Sequence, residues 1–114
     1  MYMQIMEHIR GAILMGEYKA GGRIPPVREL AAQAQVNPNT MQRALLELEG
    51  EGLLVTDGTV GRYVTEDTAV LETMRHKAVD ALVHHCAAQF RGLGISMQDA
   101  AQMLIMLEEG EKHE

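Results

Sequence analysis

The chain has a single cysteine, Cys86, among its 114 residues. No disulfide can form within it, and its thiol chemistry gives no reason to place it outside the cell. Long apolar runs are missing as well: no stretch approaches the ~18 uncharged apolar residues that a membrane crossing needs. The opening Met1-Tyr2-Met3-Gln4-Ile5-Met6-Glu7-His8 lacks the basic start and purely apolar run of a secretory leader. The expectation is a cytoplasmic protein with no membrane partner. Positive charge is scarce, and the formal net charge is −6. The scarcity is uneven, because residues 1–65 hold six Lys or Arg against seven Asp or Glu, and residues 66–114 hold four against nine. Non-specific affinity for nucleic acid grows with the number of phosphates neutralised, so it should be modest here. A nearly neutral first part still leaves room for a local basic surface. Internal repeats and low-complexity segments are absent. So is any Ser-His-Asp, paired-carboxylate or glycine-rich phosphate constellation at usable spacing. An enzyme is set aside on that ground, and no cofactor is expected.

What is present is helical periodicity with sharp punctuation. Tyr2, Ile5, Ile9, Ala12 and Ile13 fall at helical spacing and predict a first amphipathic helix over 2–15, stopped by Gly16. A turn-rich stretch, Lys19-Ala20-Gly21-Gly22-Arg23-Ile24-Pro25-Pro26, leads to a second helix over 26–35, with Pro26 suited to its first position. Asn37-Pro38 is the strongest local signal in the chain. Asn is a good N-cap and Pro is preorganised for the first turn, so a third helix should run over 38–49 and bury Met41, Ala44, Leu45 and Leu48. Two short β-prone runs, Leu53-Leu54-Val55-Thr56 and Arg62-Tyr63-Val64-Thr65, flank Asp57-Gly58 and predict a hairpin. A longer helical stretch follows over 66–91. Gly92-Leu93-Gly94 breaks it, and Ser96 caps a last helix carrying Ala100, Met103, Leu104, Met106 and Leu107. The nine methionines, spread over these helices, read as core filling.

The expected fold is mainly α with a small β-hairpin. Two closely linked helices followed by a hairpin make a winged helix-turn-helix, here over 1–65, and a two-helix element over 66–114 completes the chain. Two amphipathic helices joined by a short turn cover each other only in part, and a second copy of the chain is the simplest cover for the rest. A helix-turn-helix reads double-stranded DNA by placing its second helix in the major groove. Asn39, Gln42 and Arg43 on that helix have the right chemistry, since Asn and Gln can pair with adenine and Arg with guanine. The same residues also suit a plain solvated helix face. Arg28 reads either as a phosphate or base contact or as a surface charge paired with Glu29 or Glu47. Gly58, Gly61 and Arg62 mark the wing tip. Glycine there allows close approach to a sugar-phosphate strand, or simply the positive φ of a tight hairpin, and Arg62 supplies charge. His84, His85, Cys86 and His76 match no compact zinc spacing, so no metal is expected.

Laid end to end, these residues resemble the GntR family of bacterial transcription regulators. The match runs through Tyr2-Met3-Gln4-Ile5, Ile9-Arg10, Ile13, Gly16, Gly21, Arg23-Ile24-Pro25, Val27-Arg28-Glu29-Leu30-Ala31 and Val36-Asn37-Pro38-Asn39-Thr40. It closes with Ala44, Leu48-Glu49-Gly50-Glu51-Gly52-Leu53 and Gly61-Arg62-Tyr63-Val64. The Asn-Pro-Asn-Thr turn and the short tail are similar to the YtrA-like subfamily. The resemblance implies DNA contacts from Arg28, from Asn37, Asn39, Thr40 and Arg43, and from the wing tip at Gly61 with Arg62. Many members have Ser or Ala in place of Pro26, and Arg in place of Pro38 and Gln42. The departures shift the expected direct readout toward Asn39 and Arg43.

Residues 66–114 are too few for the ligand-binding or aminotransferase-like domain of larger members, and they resemble the dimerisation element of the YtrA-like group. The resemblance implies a homodimeric repressor on an inverted-repeat operator, in a group whose members often control transporter operons. An effector, of unknown identity, would have to bind at the dimer interface. The competing reading is a winged helix used only for protein contact.

Overall fold

The computed structural model describes residues 1–58 and 61–112. Thr59, Val60, His113 and Glu114, the last of these ending the acidic tail 108–114, lie outside the described residues. The element order is α1 (Tyr2–Leu14), α2 (Val27–Ala34), α3 (Pro38–Gly50), β1 (Leu54–Asp57), β2 (Gly61–Val64), α4 (Thr68–Gly92) and α5 (Met97–Lys112). The chain forms two compact units, Met1–Arg75 and His76–Glu114.

In the first unit α3 is the central element. Its Met41, Ala44, Leu45 and Leu48 are buried, and both α1 and α2 pack on it. Helix α1 contributes Ile5, Met6, Ile9 and Ile13, and α2 contributes Leu30 and Ala31. Ile24, Leu53, Leu54 and Val64 close the floor, while Val70, Leu71 and Met74 from the start of α4 pack against the edge. Each large side chain buried this way stabilises the fold by about 1.5–3 kcal/mol. Arg10 of α1 reaches Glu51 just beyond α3, with Nη2 donating at 2.7 and 2.5 Å, and also pairs with Glu7. The Glu51 hydrogen bond chiefly raises the Arg10 pKa, against the opposing effect of burial.

Local signals explain the helix ends. The Asn39 N–H donates to Asn37 Oδ1 at 2.7 Å, so Asn37 caps α3 with Pro38 in the first turn. Pro26 differs from its expected place: it occupies the N-cap of α2 in an extended conformation (φ −61°, ψ 157°), and Val27 is the first helical residue. A proline is restrictive toward its predecessor, not its successor, so Pro26 can precede the helix as readily as open it. At the other end of α2, Gln35 takes a left-handed conformation (φ 56°) that costs a non-glycine residue about 1–2 kcal/mol. The chain reverses there, and the Val36 N–H donates to Ala31 O at 3.0 Å.

Strands β1 and β2 pair antiparallel, with Leu54 opposite Val64, Val55 opposite Tyr63, Thr56 opposite Arg62 and Asp57 opposite Gly61. Alternation puts Leu54 and Val64 into the core and leaves Val55 outside. The loop before α2 lies along the free edge of β2. The Gly21 N–H donates to Val64 O, the Val64 N–H to Gly22 O and the Ile24 N–H to Arg62 O, at 2.9, 2.9 and 3.0 Å. An antiparallel bridge pairs Arg23 with Tyr63.

Helix α4 starts under an Asp67 cap, whose Oδ1 accepts from the Ala69 N–H at 3.0 Å. In the second unit α4 ends at a turn in which the Ile95 N–H donates to Phe90 O at 2.9 Å and Gly94 has φ +79°. The Asp99 N–H donates to Ser96 Oγ at 3.1 Å, so Ser96 caps α5. Ala100 is the buried residue of α5, and Val79, Leu82, Val83, Met103, Leu104, Ile105, Met106 and Leu107 are exposed. No described helix is long and apolar enough to cross a membrane.

Candidate nucleic-acid interface

Helix α3 turns its buried residues to α1 and α2, and its geometry then dictates what faces outward. At 100° per residue, Asn39, Arg43 and Leu46 lie opposite the core, with Gln42 on one flank and Thr40 on the other. Asn39, Arg43 and Leu46 are exposed, while Gln42 and Thr40 are half-buried. The Asn37 cap holds the start of this face in place. Arg28, one residue into α2, is exposed, and neither Glu29 nor Glu47 pairs with it among the described residues.

Arg43 is not a free arm. Its guanidinium carbon sits 4.0 Å from the centroid of the Tyr2 ring, at the start of α1. Such a cation–π contact is worth about 0.5–1 kcal/mol at an exposed site. Tyr2 itself packs against the core, so the stacked guanidinium leans on a rigid base.

The hairpin holds its own arginine tightly. Arg62 Nε donates to Glu49 Oε1 near the end of α3, and Thr56 Oγ1 donates to the same oxygen at 2.5 Å. The Arg62 side chain is 17% exposed. Burial works to raise the Glu49 carboxyl, but the hydrogen bonds from Thr56 and Arg62 and the Arg62 charge outweigh it, and the carboxyl is held below its usual range. Arg62 thus clasps the hairpin to α3, and its charge meets a carboxylate within the protein. Gly61 lies at the head of β2 with φ +150°, a conformation that favours glycine.

The structure therefore gathers Asn37, Asn39, Thr40, Gln42 and Arg43 along one end of α3, with Arg28 on the neighbouring helix. It leaves Gly61 and Arg62 on the hairpin, with Arg62 turned inward to Glu49. Two partners escaped sequence reasoning, Tyr2 and Glu49. Each is far along the chain from the arginine it holds, and no local spacing signals such a pair. His84 and Cys86 are exposed in the single chain, and His84 Nδ1 lies 2.8 Å from Asp80 O. Among the described residues no three His, Cys, Asp or Glu side chains come together as metal ligands would.

Residues 1–64 match the model for bacterial regulatory proteins of the gntR family. The chain is 32% identical to the HTH-type transcriptional repressor YtrA of Bacillus subtilis over 81% of its own length and 77% of that protein's. A GntR family transcriptional regulator from Listeria monocytogenes superposes with a TM-score of 0.78 at 32% identity, covering 95% of this chain and 92% of that one. The first part alone, 56% of the chain, superposes on 77% of AraR(DBD) in complex with operator ORX1, with a TM-score of 0.54 and 31% identity.

Proposed function

This chain belongs to the GntR family of bacterial regulatory proteins, as a DNA-binding transcriptional regulator and not an enzyme, and we propose that it is a homodimeric repressor occupying an inverted-repeat operator. The observation that carries the DNA-reading part is the face of α3. Asn39 and Arg43 stand exposed opposite the core on a helix whose start is fixed by a cap and a proline. The repressor part takes its support from the likeness to YtrA, and operator binding from the likeness to AraR(DBD).

In this reading residues 1–65 are the DNA-binding domain and 66–114 the dimerisation tail. Asn39 and Gln42 offer amide groups to adenine and Arg43 offers its fork to guanine, while Arg28, Asn37 and Thr40 hold phosphates. Gly61 and Arg62 serve through the wing, Arg62 by fixing it against α3. A second copy covers the apolar side chains of α4 and α5, and two recognition helices then meet two half-sites about one helical turn apart. A transporter operon is the expected target.

The test is binding of the purified protein to DNA from upstream of its own gene, against a scrambled duplex of equal length, at two salt concentrations. Selective, salt-sensitive binding with an inverted repeat protected in a footprint is the expected result. Absence of binding to any duplex at low salt would replace this reading with a protein-contact module.

A further inference from the structure

A wing that approaches DNA should present positive charge, and the hairpin's own arginine is already engaged. Arg62 is enclosed against Glu49, which leaves little of its charge for a phosphate. A second arginine stands at the same place from a different part of the chain. Arg23 lies along the free edge of β2, with its backbone bridged to Tyr63. Its neighbours fix it on both sides: Gly22 O accepts from Val64, and the Ile24 N–H donates to Arg62 O. Ile24 is buried at 3% exposure, so the segment cannot easily lift away.

The Arg23 side chain runs across the backbone of Gly61. A methyl group placed on Gly61 would come within 2.8 Å of Arg23 Nε and 3.2 Å of Cζ and Nη2. The missing side chain at Gly61 is therefore the seat in which this guanidinium rests. Arg23 is exposed, and among the described residues no carboxylate pairs with it. The Glu66 carboxylate, just beyond β2, stands where a side chain on Gly21 would lie, and among the described residues it forms no ion pair with Arg23.

We propose that Arg23, seated on Gly61, is the cation through which the wing holds a DNA backbone phosphate, and that Arg62 is the clasp that keeps the wing in place. The proposal rests on the DNA-binding reading above. It also gives Gly61 a second role beside its backbone conformation, since any side chain there would displace the guanidinium.

A phosphate contact carries no base information, so it acts alike on every sequence. The experiment titrates the full-length parent, Arg23→Ala, Arg23→Lys and Arg62→Met against the upstream duplex and the scrambled duplex over a series of salt concentrations. Arg23→Ala should weaken binding to both duplexes by the same several-fold factor. It should also make the slope of log K against log salt shallower by about 0.9, the counterion release that goes with one neutralised phosphate. Arg23→Lys should restore the slope, because a compact ammonium still neutralises a phosphate. Arg62→Met should leave the slope unchanged while lowering the melting temperature. A folded Arg23→Ala protein with the parent's slope would overturn the proposal, as would an Arg62→Met protein that loses the slope instead. If Arg23→Ala did not fold, Arg23→Lys against Arg23→Gln would decide the same point. A parent protein that binds neither duplex would overturn the DNA-binding reading itself, a result distinct from either.

Discussion

The two units use the same material to opposite ends. In Met1–Arg75 the apolar side chains of three helices and a hairpin converge, and Ala44, Leu45 and Leu48 are 0% exposed. In His76–Glu114 two helices leave Leu82, Val83 and the whole run Met103 to Leu107 in the open. Five consecutive apolar residues cover more than one helical turn, so α5 has no single apolar stripe for one neighbour to bury. A helix apolar on all sides is normally enclosed on all sides. The first unit is finished within one chain, whereas the second has the composition of a core without its full set of walls. The contrast distinguishes apolar residues that hold a fold from apolar residues left exposed in the single chain.

The contrast is most exposed to failure at α5. Leu104→Glu with Leu107→Glu should abolish self-association, because a charge buried in an apolar contact costs far more than the contact returns. Sedimentation of parent and variant at micromolar concentration checks this, and a parent that sediments as a monomer would break the comparison. Next in size is the finished core. Leu48→Ala should cost about 2–5 kcal/mol in denaturant unfolding, while Leu46→Ala, one face away and 51% exposed, should cost under about 0.5 kcal/mol.

Smaller effects sharpen the picture within the first unit. Arg43→Ala should lose about 1–3 kcal/mol on the cognate site and relax base preference there. Tyr2→Ala should lose a fraction of that, and Tyr2→Phe should lose least, since a phenyl ring keeps the face on which the guanidinium stacks. Anisotropy titrations on cognate and single-mismatch duplexes would separate these variants. The smallest effect concerns Glu49. Its carboxyl is depressed in the folded state, so its contribution to stability is complete above the ordinary carboxylate range and is lost as pH falls through the folded value. Glu49→Gln should cost under about 1 kcal/mol at neutral pH and should flatten the acid limb of the stability profile. A variant with the parent's acid limb would remove Glu49 from that role.

Much of the fold was legible along the chain because its signals are local. The Asn37-Pro38 start of α3, the Ser96 cap of α5, the stop at Gly94 and the burial of Met41, Ala44, Leu45 and Leu48 all follow from neighbours within one or two turns. Pro26 was placed one position too far into α2, since a proline serves equally before a helix and within its first turn. The side-chain pairings were not legible. Arg62 with Glu49, Arg43 with Tyr2 and Arg10 with Glu51 each join separate elements, and the spacing that reveals a helix says nothing about which helices meet. Sequence alone therefore placed the candidate residues on α3 and the hairpin but could not tell a paired arginine from an unpaired one.

The Asn37 cap has a consequence for how much this surface can know about a DNA sequence. Pairing an amide side chain with adenine requires its donor and its acceptor to face one base edge together. The acceptor end of Asn37 is turned to the Asn39 backbone at 2.7 Å, which leaves the donor end to face outward. A lone donor can grip a phosphate, yet it cannot ask whether the base beside it is adenine. Of the three amide side chains along this edge, the proposed readout therefore leaves Asn37 to supply position and only Asn39 and Gln42 to supply information.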